Sequence, residues 1–74
     1  MRKKLIKIFE SVGLYGDYDS TLEIDSLQFI SIIIEMENEF GVNIEDTVVF
    51  RRDMNKLDDF IGLLTDLGVS NDPD

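Results

Sequence analysis

The chain is expected to be all-α, a four-helix bundle of three longer helices and one short one. Three observations predict this. Apolar residues recur at helical spacing in three separate segments. Each segment is bounded by capping residues or by glycine. No segment alternates apolar and polar residues with the period of a strand, and no internal repeat is visible. At 74 residues the chain holds one small domain, near the lower limit for a core without staples. Residues 1–68 are assigned to that domain and 69–74 to a frayed C-terminal tail.

The first helix is predicted over residues 2–12. Leu5, Ile8, Phe9 and Val12 share a face there, Ile6 lies beside them, and Gly13 is placed to end the helix. Residues 13–25 (GLYGDYDSTLEID) read as a loop, with Leu14, Leu22 and Ile24 pinning it to the core. The second helix is predicted over 26–40. Asp25 serves as N-cap, Gln28 completes a capping box, and Gly41 closes the helix. Residues 42–45 are extended, with Ile44 inward. A short helical turn is expected over 46–51, burying Val48, Val49 or Phe50. Asn55 is expected to cap a last helix over about 56–67, with Leu57, Phe60, Ile61 and Leu64 as its inner stripe and Gly68 at its end. Gly62 in mid-helix costs roughly 1 kcal/mol against Ala, which close helix packing would explain.

Composition excludes much chemistry. There is no Cys, so disulfides and thiolate metal sites are absent; there is no His, so imidazole bases and the commonest metal ligand are absent too. Ser-His, Cys-His and zinc hydrolase chemistry therefore cannot be built within these residues. Hydrophobic residues make up 43%, which fits a globular domain rather than a disordered one. Sixteen acids against seven bases give a net charge of −9. The interval from residue 8 to residue 50 has no base and ten acids: Glu10, Asp17, Asp19, Glu23, Asp25, Glu35, Glu37, Glu39, Glu45 and Asp46. Such a surface repels phosphate backbones and steers basic partners, so nucleic acid is not an expected ligand. The start, MRKKLIKIFESVG, is no signal peptide, because Lys7 and Glu10 interrupt its apolar run. No stretch is long enough to span a bilayer. The expectation is a cytoplasmic monomer with no membrane insertion.

The second helix carries more apolar residues than one buried face needs. On a wheel of about 100° per residue with Leu27 at zero, Phe29, Ile33, Met36 and Phe40 cluster at about 180–240°, with Ile32 on their flank. That is a core stripe. Leu27, Ile30 and Ile34 fall on nearly the opposite side, with Glu35 and Asn38 beside them. Exposed apolar residues at this spacing suit a partner's groove; the alternative is that neighbouring helices wrap around and bury both stripes. Ser26 opens the same helix, where backbone N–H groups are unpaired and the dipole is positive. A phosphate on its oxygen would meet those donors, whereas Asp19, Glu23 and Asp25 would oppose a free anion. That pattern suits a covalent attachment point rather than an anion trap, while the plainer reading is that Ser26 only assists capping.

The run L-E-I-D-S-L-Q-F-I-S-I-I-I-E-M-E-N-E-F-G-V-N-I, residues 22–44, resembles the signature of the acyl and peptidyl carrier proteins. In that family a D-S-L tripeptide opens the second helix of a four-helix bundle, and its serine carries 4′-phosphopantetheine through a phosphodiester. Ile32, Ile33, Glu37, Glu39, Phe40 and Ile44 fill the family's later positions. The order of elements matches as well, so the resemblance covers most of residues 2–67. It implies that Ser26 is the modified residue, flanked by Asp25 and Leu27, and that Leu27, Ile30, Ile34, Glu35 and Glu37 face partners. Arg52-Asp53-Met54-Asn55 before an apolar helix is similar, over a shorter span, to D-alanyl and other aminoacyl carriers. Departures are Glu23 where the family usually has Gly, a shorter first loop, and Ser31 and Asn38 where fatty-acid carriers commonly have acids.

Other candidates are weaker. Asp17, Asp19, Thr21 and Glu23 alternate as in a calcium loop, but no Gly stands sixth and Gln28 occupies the place of the bidentate Glu. The Glu35/Glu37/Glu39 triplet could supply a carboxylate pair, but alternate helix positions do not face each other, and a solvated face is the plainer reading. Arg51-Arg52 is too small a patch for nucleic acid.

The expectation is therefore a stand-alone, non-catalytic acyl, aminoacyl or peptidyl carrier serving fatty-acid, polyketide or nonribosomal peptide chemistry. By the resemblance, its partners are a phosphopantetheinyl transferase, an acyl- or aminoacyl-activating ligase, and a downstream acyltransferase or synthase. The rival is an unmodified helical interaction module that binds one partner through Leu27, Ile30 and Ile34.

Overall fold

One aromatic ring from each of three helices meets at the centre of the molecule. The computed structural model describes residues 1–44 and 54–70. Within them lie α1 (Arg2–Ser11), α2 (Ser26–Phe40) and α3 (Leu57–Asp66). The short helical turn expected over 46–51, the residues Val48, Val49 and Phe50 assigned to it, and Arg51-Arg52-Asp53 lie outside the described residues, as do positions 71–74.

Helix α1 packs against both α2 and α3. Phe9 of α1 meets Phe60 of α3 edge-on, with centroids 5.2 Å apart, and Phe29 of α2 lies 5.9 Å from Phe60 on another side. Tyr18 of the first loop adds a fourth ring, edge-on to Phe9 at 5.9 Å. Leu5, Ile32, Met36, Leu57, Leu63 and Leu64 complete the fully buried set. No polar or charged residue is buried among the described residues, so this part of the core rests on packing alone.

The first helix stops at Ser11, one residue before its predicted end, and Gly13 follows it at φ +87°. Its N–H donates to the Glu10 carbonyl at 3.0 Å. A side chain there would be strained, which is why glycine marks the stop. The first loop is tied down as expected: Leu14 is buried, and Leu22 and Ile24 pack against the core. Polar bonds shape the rest of it. Asp17 accepts from the Asp19 N–H at 3.0 Å and from the Ser20 hydroxyl at 2.9 Å. The first of these bonds, then the second, hold its carboxyl below the usual carboxylate range. Burial pushes the Tyr18 phenol up, and its hydroxyl donates to the Leu14 carbonyl at 2.9 Å. Arg2 reaches across the molecule to Asp19 at 2.9 Å and Asp58 at 3.8 Å.

Several expectations for the last helix need correction. Asn55 does not cap it; Lys56 stands at the N-cap position. A lysine has no acceptor, so the work passes to Asp59, whose Oδ2 reaches back to the N–H groups of Asn55 at 3.1 Å and Lys56 at 3.0 Å. The inner stripe is Leu57, Phe60, Leu63 and Leu64, with Ile61 only half-buried. The helix is rotated so that Leu63 takes the inward place and Ile61 moves to the flank. In α2, Ile32 is central rather than flanking, while Phe29 and Phe40 are half-buried. Past α3, Val69 packs on the core and its N–H donates to the Leu64 carbonyl at 3.0 Å. Among the described residues no helix is long and apolar enough to cross a membrane.

Gly62 is not explained by close packing, since an added Cβ would meet nothing within 4 Å and its φ is not positive. Gly62→Ala is therefore expected to stabilise the fold by about 0.5–1 kcal/mol, read as a higher urea midpoint at unchanged m. Phe60→Ala removes the ring shared by α1 and α2. It is expected to cost about 3–5 kcal/mol, enough to leave so small a domain largely unfolded by circular dichroism at 25 °C.

Candidate functional site

The site is the start of α2 together with the outer face of that helix. Asp25 sits at the N-cap with extended backbone (φ −82°, ψ 171°). Its Oδ1 accepts from the Gln28 N–H at 2.7 Å, and Gln28 Oε1 accepts from the Asp25 N–H at 3.2 Å. This is the capping box expected from the sequence. The Phe29 N–H donates to the Asp25 carbonyl at 2.9 Å, the first bond of the helix ladder. The amides left without an intrahelical partner at this end are those of Ser26 and Leu27.

Ser26 is the first helical residue and is exposed. Because Asp25 does the capping, the Ser26 hydroxyl is not spent on it. Among the described residues no hydrogen bond engages that hydroxyl. It stands next to two unpaired amides at the positive end of a fifteen-residue helix. The adjoining Glu23 and Asp25 side chains are exposed as well, so a free anion would meet opposing charge.

The outer stripe of α2 is open. Leu27 is 79% exposed, Ile30 46% and Ile34 52%, so the neighbouring helices do not wrap around to cover it. Ser31 and Asn38, also exposed, lie on the same face. That face therefore carries no charge along its middle.

The three glutamates of α2 go separate ways. Glu35 Oε2 lies 3.0 Å from the Ser11 hydroxyl of α1. Glu37 Oε2 accepts from the Ile44 N–H at 3.2 Å and so holds the chain after Gly41 against the helix, with Ile44 buried below. Glu39 lies 4.0 Å from the Lys4 ammonium. The structure thus groups Asp25, Ser26 and Leu27 at one end and Ile30 and Ile34 along the face, with Glu35 and Glu37 bonded to either side.

Sequence reasoning missed one contributor. Gln28 does more than close the box: its Nε2 donates to the Val12 carbonyl at 3.1 Å and so ties α2 to the end of α1. Only the partner across the loop was hidden, because Gln at the third helical position already satisfies the local pattern.

Residues 10–64 match the family model described as "Phosphopantetheine attachment site", which is more than half of the chain. Neither the curated proteins nor the solved structures yield a significant match.

Asp25→Ala removes the cap acceptor while leaving Ser26 in place. The expected loss is about 0.5–2 kcal/mol of stability in a urea titration, with most helical signal retained.

Proposed function

The chain belongs to the phosphopantetheine attachment site family, the carrier proteins, and we propose that it carries its prosthetic group on the Ser26 hydroxyl. Membership makes it a non-catalytic carrier domain whose prosthetic group is 4′-phosphopantetheine, added by a phosphopantetheinyl transferase. The single observation that supports Ser26 is its exposed hydroxyl at the head of α2, left unengaged because Asp25 takes the capping role.

The residues present fit such a group. A phosphodiester on Ser26 has the amides of Ser26 and Leu27 as its nearest backbone donors, and the helix dipole favours its charge. In the loading step the Ser26 oxygen would form a new bond to phosphorus while the pyrophosphate bond of coenzyme A breaks, and adenosine 3′,5′-bisphosphate would leave with that bond's electron pair. The hydroxyl proton must leave to a base on the transferase. This chain has no His, and the carboxylate adjoining Ser26 in sequence, Asp25, accepts from the Gln28 N–H with its Oδ1. When attached, the group supplies the terminal thiol on which an acyl, aminoacyl or peptidyl unit is held as a thioester. This chain has no Cys that could supply one.

Leu27, Ile30 and Ile34 form the surface that partner enzymes grip, with Glu35 and Glu37 at its edges. These partners include the transferase, an acyl- or aminoacyl-activating ligase, and the acyltransferase or synthase that takes the cargo. The stripe gives short-range apolar contact, and the net charge of −9 steers basic partners from a distance. Salt then acts chiefly on encounter and little on the seated complex.

Ser26→Ala is expected to keep the helical spectrum and thermal midpoint of the wild type and to gain no mass on incubation with coenzyme A and a broad-specificity transferase. Normal mass gain in that variant refutes the assignment. Ile34→Asp, on an exposed position, is expected to hold its midpoint but to load at least about tenfold more slowly at limiting carrier, the cost of one central interface contact. An undiminished rate removes the stripe from the docking surface.

A further inference from the structure

We infer that Gln28 is a positioning residue for Ser26: its side-chain amide fastens the first turn of α2 to the end of α1 and so holds the hydroxyl where a transferase must meet it. The inference rests on the assignment of Ser26 made above.

The first turn of α2 is packed on the core through Phe29, while the residues around Ser26 have little packing to hold them. Asp25, Ser26 and Leu27 are all exposed, Phe29 is half-buried, and the buried residues of the helix begin only at Ile32. A helix end with unpaired amides and few apolar contacts opens at low cost. Near α1 the loop is held by the Leu14 N–H, which donates to the Phe9 carbonyl at 2.9 Å, and by the Tyr18 hydroxyl on the Leu14 carbonyl at 2.9 Å, but neither bond reaches α2. Other ties on that loop lie elsewhere: Arg2 holds Asp19, and the Leu22 N–H donates to the Asn55 carbonyl at 2.7 Å.

Gln28 supplies what packing does not. Its oxygen accepts from the Asp25 N–H, and its nitrogen donates to the carbonyl of Val12, the C-cap residue of α1. A single planar amide thus joins backbone groups on both sides of the loop. The chain at Gly13 runs beside that nitrogen, with an ideal Cβ 4.0 Å from it. Val12 is half-buried, so its carbonyl has limited access to water in place of this donor. Only a side chain with an acceptor and a donor on one carbon serves both ends. Glutamate keeps the acceptor for the Asp25 N–H but turns a negative oxygen toward the Val12 carbonyl. Gln28→Glu therefore separates the capping box from the link to α1.

Placement of this kind matters for phosphoryl transfer. Displacing a reacting atom by about 1 Å can cost on the order of a hundredfold in rate. The expected signature is a fall in kcat, since Ile30 and Ile34 of the docking stripe lie beyond the first turn and keep their places.

The experiment uses the whole chain, coenzyme A and a broad-specificity phosphopantetheinyl transferase, with initial rates of mass gain measured across carrier concentration. Amide exchange of Phe29, whose N–H closes the first turn, is followed by NMR in the same samples. For Gln28→Glu the expected result is a kcat about fivefold to tenfold lower, a KM within about twofold, and Phe29 exchange faster by a similar factor, as loss of one hydrogen bond allows. Gln28→Ala, which also loses the box, is expected to be slower still. Gln28→Glu loading and exchanging like the wild type overturns the inference, and so does faster exchange with unchanged kcat. A kcat that falls only in step with lost helical signal also overturns it, because the role is then structural alone. A wild-type chain that gains no mass, or a Ser26→Ala chain that does, instead overturns the assignment of Ser26 and the inference with it.

Discussion

The contact on which the rest depends is the meeting of Phe9, Phe29 and Phe60. Phe60 takes a ring from α1 on one side and a ring from α2 on another. Edge-on aromatic pairs contribute about 0.5–1.5 kcal/mol each beyond the area they bury, which is substantial for a domain this small. The pairing also sets an angle. With Phe29 turned toward Phe60, the 100° step of a helix carries Ile32, Ile33 and Met36 inward after it. The same step carries Leu27, Ile30 and Ile34 outward. The open stripe is thus a geometric consequence of a core built on one side of a helix that is apolar on two.

Much of this was legible in the residues. The bounds of α2 and its capping box follow from local rules, because Asp25, Gln28 and Gly41 each act within one turn of their own position. The two stripes of α2 follow from periodicity. What failed was information carried by partners distant in sequence. Asn55 looked like a cap because its type is favoured there; Asp59 won because a carboxylate reaching back satisfies two amides where one amide side chain would satisfy fewer. Leu63 and Ile61 exchanged places because the rotation of α3 is set by Phe9 and Phe29, which no local pattern in α3 encodes. The tie from Gln28 to Val12 was invisible for the same reason, being sixteen residues long. Met1 and Met54 joined the core without periodic signal, filling gaps at the ends of elements as flexible thioethers do.

The glutamates of α2 show how one residue type divides between structure and surface. Glu37 and Glu35 each spend an oxygen inside the molecule, on the Ile44 amide and near the Ser11 hydroxyl. Their remaining oxygens still contribute to the field around the helix. A carboxylate placed this way bonds within the chain and adds to the surface field at once. The face itself stays neutral through Leu27, Ile30, Ser31, Ile34 and Asn38. Charge and open apolar surface on α2 are therefore carried by different residues, and each can change without the other.

The order of Asp25 and Ser26 is itself a physical statement. Both residue types favour the N-cap, and only one can occupy it. With aspartate there, the carboxylate turns back onto the Gln28 amide, and serine falls at the next position, where no hydrogen bond engages its hydroxyl among the described residues. Exchange the two and the hydroxyl would turn inward as the cap, while the carboxylate would stand outward in its place. A chain with no His and no Cys has few ways to make one hydroxyl different from its neighbours. Ser11 and Ser20, by contrast, lie within bonding distance of Ile8, Glu35 and Asp17 acceptors, and Ser31, exposed like Ser26, stands in the body of α2 away from its positive end. Ser26 is set apart from them by the residue before it, which satisfies the helix and leaves the serine oxygen unengaged among the described residues.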